Sequence, residues 1–129
     1  MSWNYSQATG RLTDPAGAFA GVGYSGQPPY VNDGAAENIA CKGPIPCGMW
    51  EVVGAEDSPT LGPLTLILSP DAATRSKVLG YGRDPDTFRM HGERLEPPPG
   101  FASDGCLVQI RTVRLSVYQS TDKWIQVGP

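Results

Sequence analysis

The stretch Gly62-Pro63-Leu64-Thr65-Leu66-Ile67-Leu68 sets the reading of the whole chain. Residues 64–68 form its longest mostly apolar run, apolar on both faces, which predicts a strand through the middle of a sheet. A bilayer-crossing helix needs roughly 20 apolar residues, so no membrane span is expected. Working outward, residues 49–53 predict a neighbouring strand. Residues 71–79 predict a short helix, capped by Ser69 or Asp71 and stopped at Gly80. Residues 3–5 and 11–12 flank a turn at Ala8-Thr9-Gly10 and read as a hairpin. Residues 18–24 form a small-residue strand, residues 88–91 another short one, and residues 124–127 a last strand. Ile110, Val113, Val117 and Tyr118 recur at helical spacing and predict a helix of two or three turns.

Composition supports a compact, turn-rich, mainly β domain. The 129 residues include 16 glycines and 13 prolines, nearly twice average usage. Inside a helix glycine costs about 1 kcal/mol and proline about 3, so long helices are disfavoured. Hydrophobic residues make up 40% and charged ones 18%, too apolar for a disordered chain. The length fits one domain, residues 1–129, with no repeat or linker. Net charge is −3 and no basic run occurs, which argues against nucleic-acid binding. Met1 to Gln7 has neither the basic start nor the apolar stretch of a signal peptide, so export by a route without a cleaved leader is expected.

Chemistry concentrates in three cysteines and one histidine. Cys41 and Cys47 bracket the stiff Lys42-Gly43-Pro44-Ile45-Pro46 segment. Two readings stay open for that pair. A disulfide would close a small ring, add roughly 2 kcal/mol and mark an oxidising compartment; otherwise both are ordinary small buried residues. Cys106 is the odd thiol and the candidate nucleophile. Gly105 before it lets the backbone turn sharply, and successive N–H groups of Gly105 and Cys106 can converge on a developing oxyanion. An unperturbed thiol is only about 3% thiolate at pH 7, so Cys106 needs a base or a positive neighbour. His91, at the end of a predicted strand, is the candidate base. Residues 93–100 are charged or proline-rich and predict an exposed loop that leaves and returns, bringing His91 and Cys106 to one mouth of the sheet. Cys41, Cys47, Cys106 and His91 also add up to a Cys₃His zinc composition. The five residues between Cys41 and Cys47 exceed the two to four that zinc knuckles prefer, so neither metal nor cofactor is expected.

His91-Gly92, a loop, then Ala102-Ser103-Asp104-Gly105-Cys106 resembles the His…Ser-x-Gly-Cys signature of the L,D-transpeptidase superfamily. Trp3-Asn4-Tyr5-Ser6-Gln7, Thr9-Gly10, Leu12, residues 21–26, Gly43-Pro44-Ile45-Pro46 with Gly48, and Gly62-Pro63-Leu64 resemble one branch, the DUF2778-type, type VI secretion L,D-transpeptidase effectors. The likeness covers nearly the whole chain. It implies a β-sandwich or barrel with one or two short helices. It also implies a cysteine acyl-transferase acting on peptidoglycan tetrapeptide stems, by L,D-carboxypeptidase hydrolysis or D-amino-acid exchange, in the periplasm of a rival bacterium. Carried over by motif, Cys106 is the nucleophile, His91 the base, and Gly105 with Cys106 the oxyanion donors. Arg83, in Gly80-Tyr81-Gly82-Arg83, matches an upstream feature that holds the substrate carboxylate; Ser103, Asp104 and Gly92 complete the substrate-binding set. Glu93 matches an acidic residue that follows His-Gly in the branch. A secretion-apparatus component and a cognate immunity protein are the implied partners. Asp104 departs from the superfamily, which usually has His there, so the group that orients His91 is left open, a backbone carbonyl near Gly92 being one candidate. A non-catalytic cell-wall-binding or adaptor domain on the same scaffold is the alternative reading.

Overall fold

The computed structural model describes residues 1–93 and 103–129; the predicted excursion through Pro97-Pro98-Pro99-Gly100 lies outside the described residues. The described chain is mainly β, with two short helices. It runs through β1 (Trp3–Ser6), β2 (Arg11–Thr13), β3 (Phe19–Val22), β4 (Tyr24–Ser25), β5 (Gly48–Ser58), β6 (Gly62–Pro70), α1 (Ala72–Gly80), β7 (Arg89–His91), β8 (Leu107–Val108), α2 (Arg111–Gln119) and β9 (Trp124–Gly128). All nine strands join one sheet in the order β3-β2-β1-β9-β5-β6-β7-β8-β4. The apolar run sits inside β6, between β5 and β7, as its two-faced hydrophobicity predicts.

The two edge strands of that order, β3 and β4, are consecutive in the chain and separated by Gly23 alone. The sheet therefore curls until its ends approach each other, the barrel-like alternative. A Cβ on Gly23 would fall 1.7 Å from the Val108 carbonyl oxygen, so the closure demands glycine. This is also why the predicted strand over residues 18–24 is broken in two.

α1 starts where Asp71 accepts a hydrogen bond from the Thr74 N–H at 2.9 Å, so Asp71 and not Ser69 is the cap. α2 differs from its predicted pattern. Val113 and Val117 are buried, but Ile110 is the exposed residue preceding the helix and Tyr118 faces outward. Arg114 occupies the buried face instead.

The core gathers Trp50, Leu66, Leu68, Met90, Leu107 and Ile125 from the central strands, with Val78 of α1 and Val117 of α2 covering them. Each large apolar side chain buried this way contributes about 1.5–3 kcal/mol. Trp50 and Phe88 pack with ring centroids 4.8 Å apart. Trp50 also donates to the Pro46 carbonyl at 3.0 Å, which ties the stiff Gly-Pro-Ile-Pro segment to the core. That segment is the floor on which the site is built.

Candidate active site

β7 and β8 run parallel, with Met90 opposite Leu107 and His91 opposite Val108. Because side chains alternate along a strand, this register sends His91 and Cys106 to the same face of the sheet. Both line one cleft of about 450 Å³, with Cys41, Leu61, Arg83, Asp84, Phe88 and Asp104 among its other walls. The sulfhydryl and the imidazole thus share one cavity wall, and no hydrogen bond joins the two.

His91 is almost fully buried. Its Nδ1 lies 2.8 Å from the Gly92 carbonyl oxygen, an acceptor that fixes the proton on Nδ1 and leaves Nε2 with a lone pair. Nε2 is buried and has no hydrogen-bond partner among the described residues. The Gly92 backbone therefore orients the imidazole, and Gly92 is not among the residues that line the cleft. Burial is the main reason His91 is held below its ordinary pKa. The nearby Arg114 charge adds to that, against the opposing influence of the Gly92 carbonyl, Glu93 and Asp104.

Cys106 does not hydrogen-bond to His91. Its thiol points to the Thr87 carbonyl, a loose contact of 3.8 Å. Burial pushes the thiol up to about 11, with Asp104 adding to the effect, while the Arg89 backbone N–H and the Arg89 and Arg83 charges favour the thiolate. The resting pair is therefore a neutral thiol and a neutral imidazole.

The turn before the cysteine corrects two expectations. Ser103 is fully buried and absent from the cleft wall. Its hydroxyl accepts from the Gly26 N–H at 3.0 Å and the Gly105 N–H at 3.1 Å, and donates to the Cys106 carbonyl at 2.6 Å. Ser103 is thus occupied in building the turn and has no capacity left for substrate. For the same reason the Gly105 N–H is already spoken for, and of the two expected oxyanion donors the Cys106 N–H is the one without a partner among the described residues. Gly105 itself has φ +124°, and a Cβ there would lie 2.3 Å from Arg83 Nη2, so only glycine fits. Ser25 Oγ secures the turn from below, donating to the Gly105 carbonyl at 3.0 Å and accepting from the Ile45 N–H at 2.8 Å.

Arg83 is a second correction. It is not an arm reaching for a carboxylate but a buried clamp, 5% exposed. Nη1 donates to the carbonyls of Glu37 at 2.6 Å and Pro44 at 2.8 Å, and Nη2 to that of Gly43 at 3.1 Å. Its plane lies over the Phe88 ring, 5.0 Å from the centroid. Asp104 remains exposed at the lip, where Gln27 Nε2 approaches to 3.5 Å. Glu93 accepts from Tyr24 Oη at 2.7 Å.

Cys41 and Cys47 are both free thiols, so no bridge joins them. Cys41 is exposed on the cleft wall with φ +64°, while Cys47 lies outside the cleft and gives its N–H to Glu37 at 3.1 Å. With Cys47 away from the other three, the Cys₃His set is not assembled, and no group of three or more His, Cys, Asp or Glu gathers among the described residues.

Sequence comparison is silent: no family model matches the chain, and no curated protein matches it. Structure comparison is not. The chain superimposes on a solved structure described as the Ldtfm–avibactam carbamoyl enzyme, with a TM-score of 0.53 and 14% identity. The fold is L,D-transpeptidase-like. The match covers 99% of this chain and 48% of that one, so the chain spans about half the length of the protein it resembles. The L,D-transpeptidase-like sheet places the candidate thiol and imidazole in one cleft. Arg114, which sequence reading missed, and Arg83, which it took for a substrate arm, both pack against the residues of that cleft.

Proposed function

We propose that this protein is a cysteine-dependent acyl-transferase of the L,D-transpeptidase type, acting on peptidoglycan tetrapeptide stems. One observation carries the reading: Cys106 and a His91 whose Nε2 is left unpartnered line the same cleft. The L,D-transpeptidase-like fold and the signature around Gly105-Cys106 support it.

The reaction begins when the thiol turns from Thr87 toward His91 and gives its proton to Nε2. Deprotonation and attack are coupled, because the buried thiol does not ionise alone at neutral pH. The sulfur attacks the carbonyl that joins the L-centre of the diamino acid to the terminal D-alanine. The oxyanion is held by the Cys106 N–H, with the Arg83 charge behind it. The C–N bond breaks, and D-alanine leaves with the proton from the imidazolium. Water then hydrolyses the thioester, or a D-amino acid exchanges onto it, and His91 takes up the released proton in either case. The same reading makes the chain an antibacterial effector. A type VI apparatus delivers it into a rival's periplasm, and an immunity protein protects the producer.

Muropeptide tetrapeptides analysed by mass spectrometry test the chemistry. Wild type releases D-alanine, and Cys106→Ala and His91→Ala each lose at least about 10²-fold while keeping their circular dichroism. Undiminished release by either folded variant overturns the assignment. Avibactam gives a second handle, since the similar protein is described as its carbamoyl enzyme. A single adduct should form on wild type and none on C106A. The raised thiol and the missing Cys106–His91 hydrogen bond favour one other reading, a cell-wall-binding domain without catalysis. That reading requires no adduct, no D-alanine, and co-sedimentation with sacculi.

A further inference from the structure

Behind the cleft, Arg114 of α2 is 6% exposed and has no carboxylate partner among the described residues. Its guanidinium is held by backbone carbonyls: Nε donates to Leu64 at 3.0 Å, Nη1 to Gln109 at 2.6 Å, and Nη2 to Pro63 at 3.4 Å. A helix surface offers arginine solvent at no cost, so its burial here needs a reason. Two contacts supply one. A Cβ on Gly92 would lie 2.9 Å from Nη1, so the guanidinium rests directly against the residue whose carbonyl holds His91. The Gln109 residue that Arg114 grips donates its own N–H to the His91 carbonyl at 3.0 Å. Arg114 thus rests against Gly92 directly and reaches the His91 carbonyl through Gln109.

We propose that Arg114 is a positioning residue for His91: it braces the His91-Gly92 backbone so that Nδ1–H stays on the Gly92 carbonyl and Nε2 stays bare. This role rests on the proposed acyl transfer for its catalytic meaning, but not for its structural content. The groups that face the imidazole are Asp104 and Cys106 on the turn, Glu93 beyond Gly92, and Arg114 behind it, while Arg89 on its own strand is turned to Glu56 and the Asp86 and Phe88 carbonyls. Tyr24 of β4 engages Glu93. Arg114 is the cation placed to disfavour the imidazolium, since an uncompensated positive charge in a poorly solvated site acts at long reach. A neutral imidazole is what a base must be before it accepts the thiol proton.

His91 is the only histidine, so its ring can be followed by long-range ¹H–¹⁵N NMR without ambiguity. Wild type should show the Nδ1–H tautomer at neutral pH. Arg114→Gln removes the charge and should raise the pH at which the ring titrates. The acidic limb of kcat/KM should follow it alkaline, with a loss on the order of tenfold at acidic pH. Arg114→Lys keeps the charge and should restore the wild-type titration. A folded R114Q protein with an unchanged ring titration, or a wild-type ring in the Nε2–H form, overturns the proposal. Should R114Q fold poorly, Arg114→Met makes the same test by removing the charge without adding a polar group to satisfy, and an unchanged or lowered titration there overturns it. The NMR measurements need no substrate. A ring that responds in a protein releasing no D-alanine removes the proposed activity and leaves the Arg114 role standing.

Discussion

Arg83 and Arg114 are two buried guanidiniums held by carbonyl oxygens rather than by carboxylates, yet they are wired differently. All three Arg83 acceptors, Glu37, Gly43 and Pro44, come from one loop, which the side chain ties shut beneath the Gly105-Cys106 turn. The Arg114 acceptors come from two places, the start of β6 and the exit of β8, so it bridges elements that already belong to the sheet. Their charges also act in different senses. Arg83 favours a negative charge on Cys106, whereas Arg114 disfavours a positive charge on His91. Two cations of one kind can thus serve both halves of a thiol–imidazole pair, because each is placed beside a group of different proton sign.

The wiring predicts unequal costs, and the largest falls on Arg83. Arg83→Met strands the buried carbonyls of Gly43 and Pro44 and the partly buried one of Glu37, and frees residues 37–44, which should cost about 3–5 kcal/mol. Urea denaturation reads this as a fall in midpoint. Arg114→Met should cost less, because β6, α2 and β8 keep their own ladders and apolar contacts without it. Equal costs, or a larger one for Arg114, would show that the loop stands without its clamp and would break the contrast.

Glu37 sharpens the same contrast at the loop's other end. Burial opposes ionisation of this carboxyl, but hydrogen bonds from Gln7, the Cys47 N–H, Tyr81 and Lys77 outweigh it and bring it down from 4.5 to about 2. Lys77 Nζ is 3.0 Å away and Tyr81 Oη 2.8 Å. A lowered carboxylate contributes stability that is present above its unfolded value and lost as pH falls through the folded one. Glu37→Gln should therefore lower stability by about 2 kcal/mol at neutral pH. That gap should close between pH 4.5 and about 2, as thermal denaturation of both proteins across that range will show. A gap independent of pH would mean that the side chain's shape, not its charge, holds the loop.

Much of this architecture is legible in the chain. The two-faced run at 64–68, the Asp71 cap and the Trp124 strand are written in side-chain identity, and the structure places them where periodicity and capping put them. The Gly105-Cys106 signature and the single histidine likewise announce a common cleft. What the sequence hides are the acceptors. Carbonyl oxygens are the same at every residue, so nothing in Pro63, Leu64 or Gln109 marks them as waiting for Arg114. Leu64 even adopts a left-handed φ of +53°, a backbone state no leucine advertises. The one available hint was position: Arg114 lies between Val113 and Val117 on the face that those valines bury. Ser103 misleads for the opposite reason, since a motif shows which residues recur but not whether a hydroxyl faces substrate or its own turn.

The smallest expected effect comes from the charge at the lip. Asp104 is exposed, and its carboxylate raises the Cys106 thiol in opposition to Arg83 beneath it. Asp104→Asn should therefore speed alkylation of Cys106 by iodoacetamide, followed at pH 8–9 by intact mass, by only about two- to threefold, because water screens an exposed charge. Folded Arg83→Lys, which keeps a charge near the thiol but loses the fork, should slow it. High salt separates the two. At about 1 M ionic strength the screening length falls to roughly 3 Å, so the D104N effect should disappear while the R83K effect persists. If both vanish together, the guanidinium is reached by ions as readily as the carboxylate, and depth is not what distinguishes them. If only the Asp104 effect vanishes, the thiol is governed chiefly from below, by a cation that substrate does not have to displace.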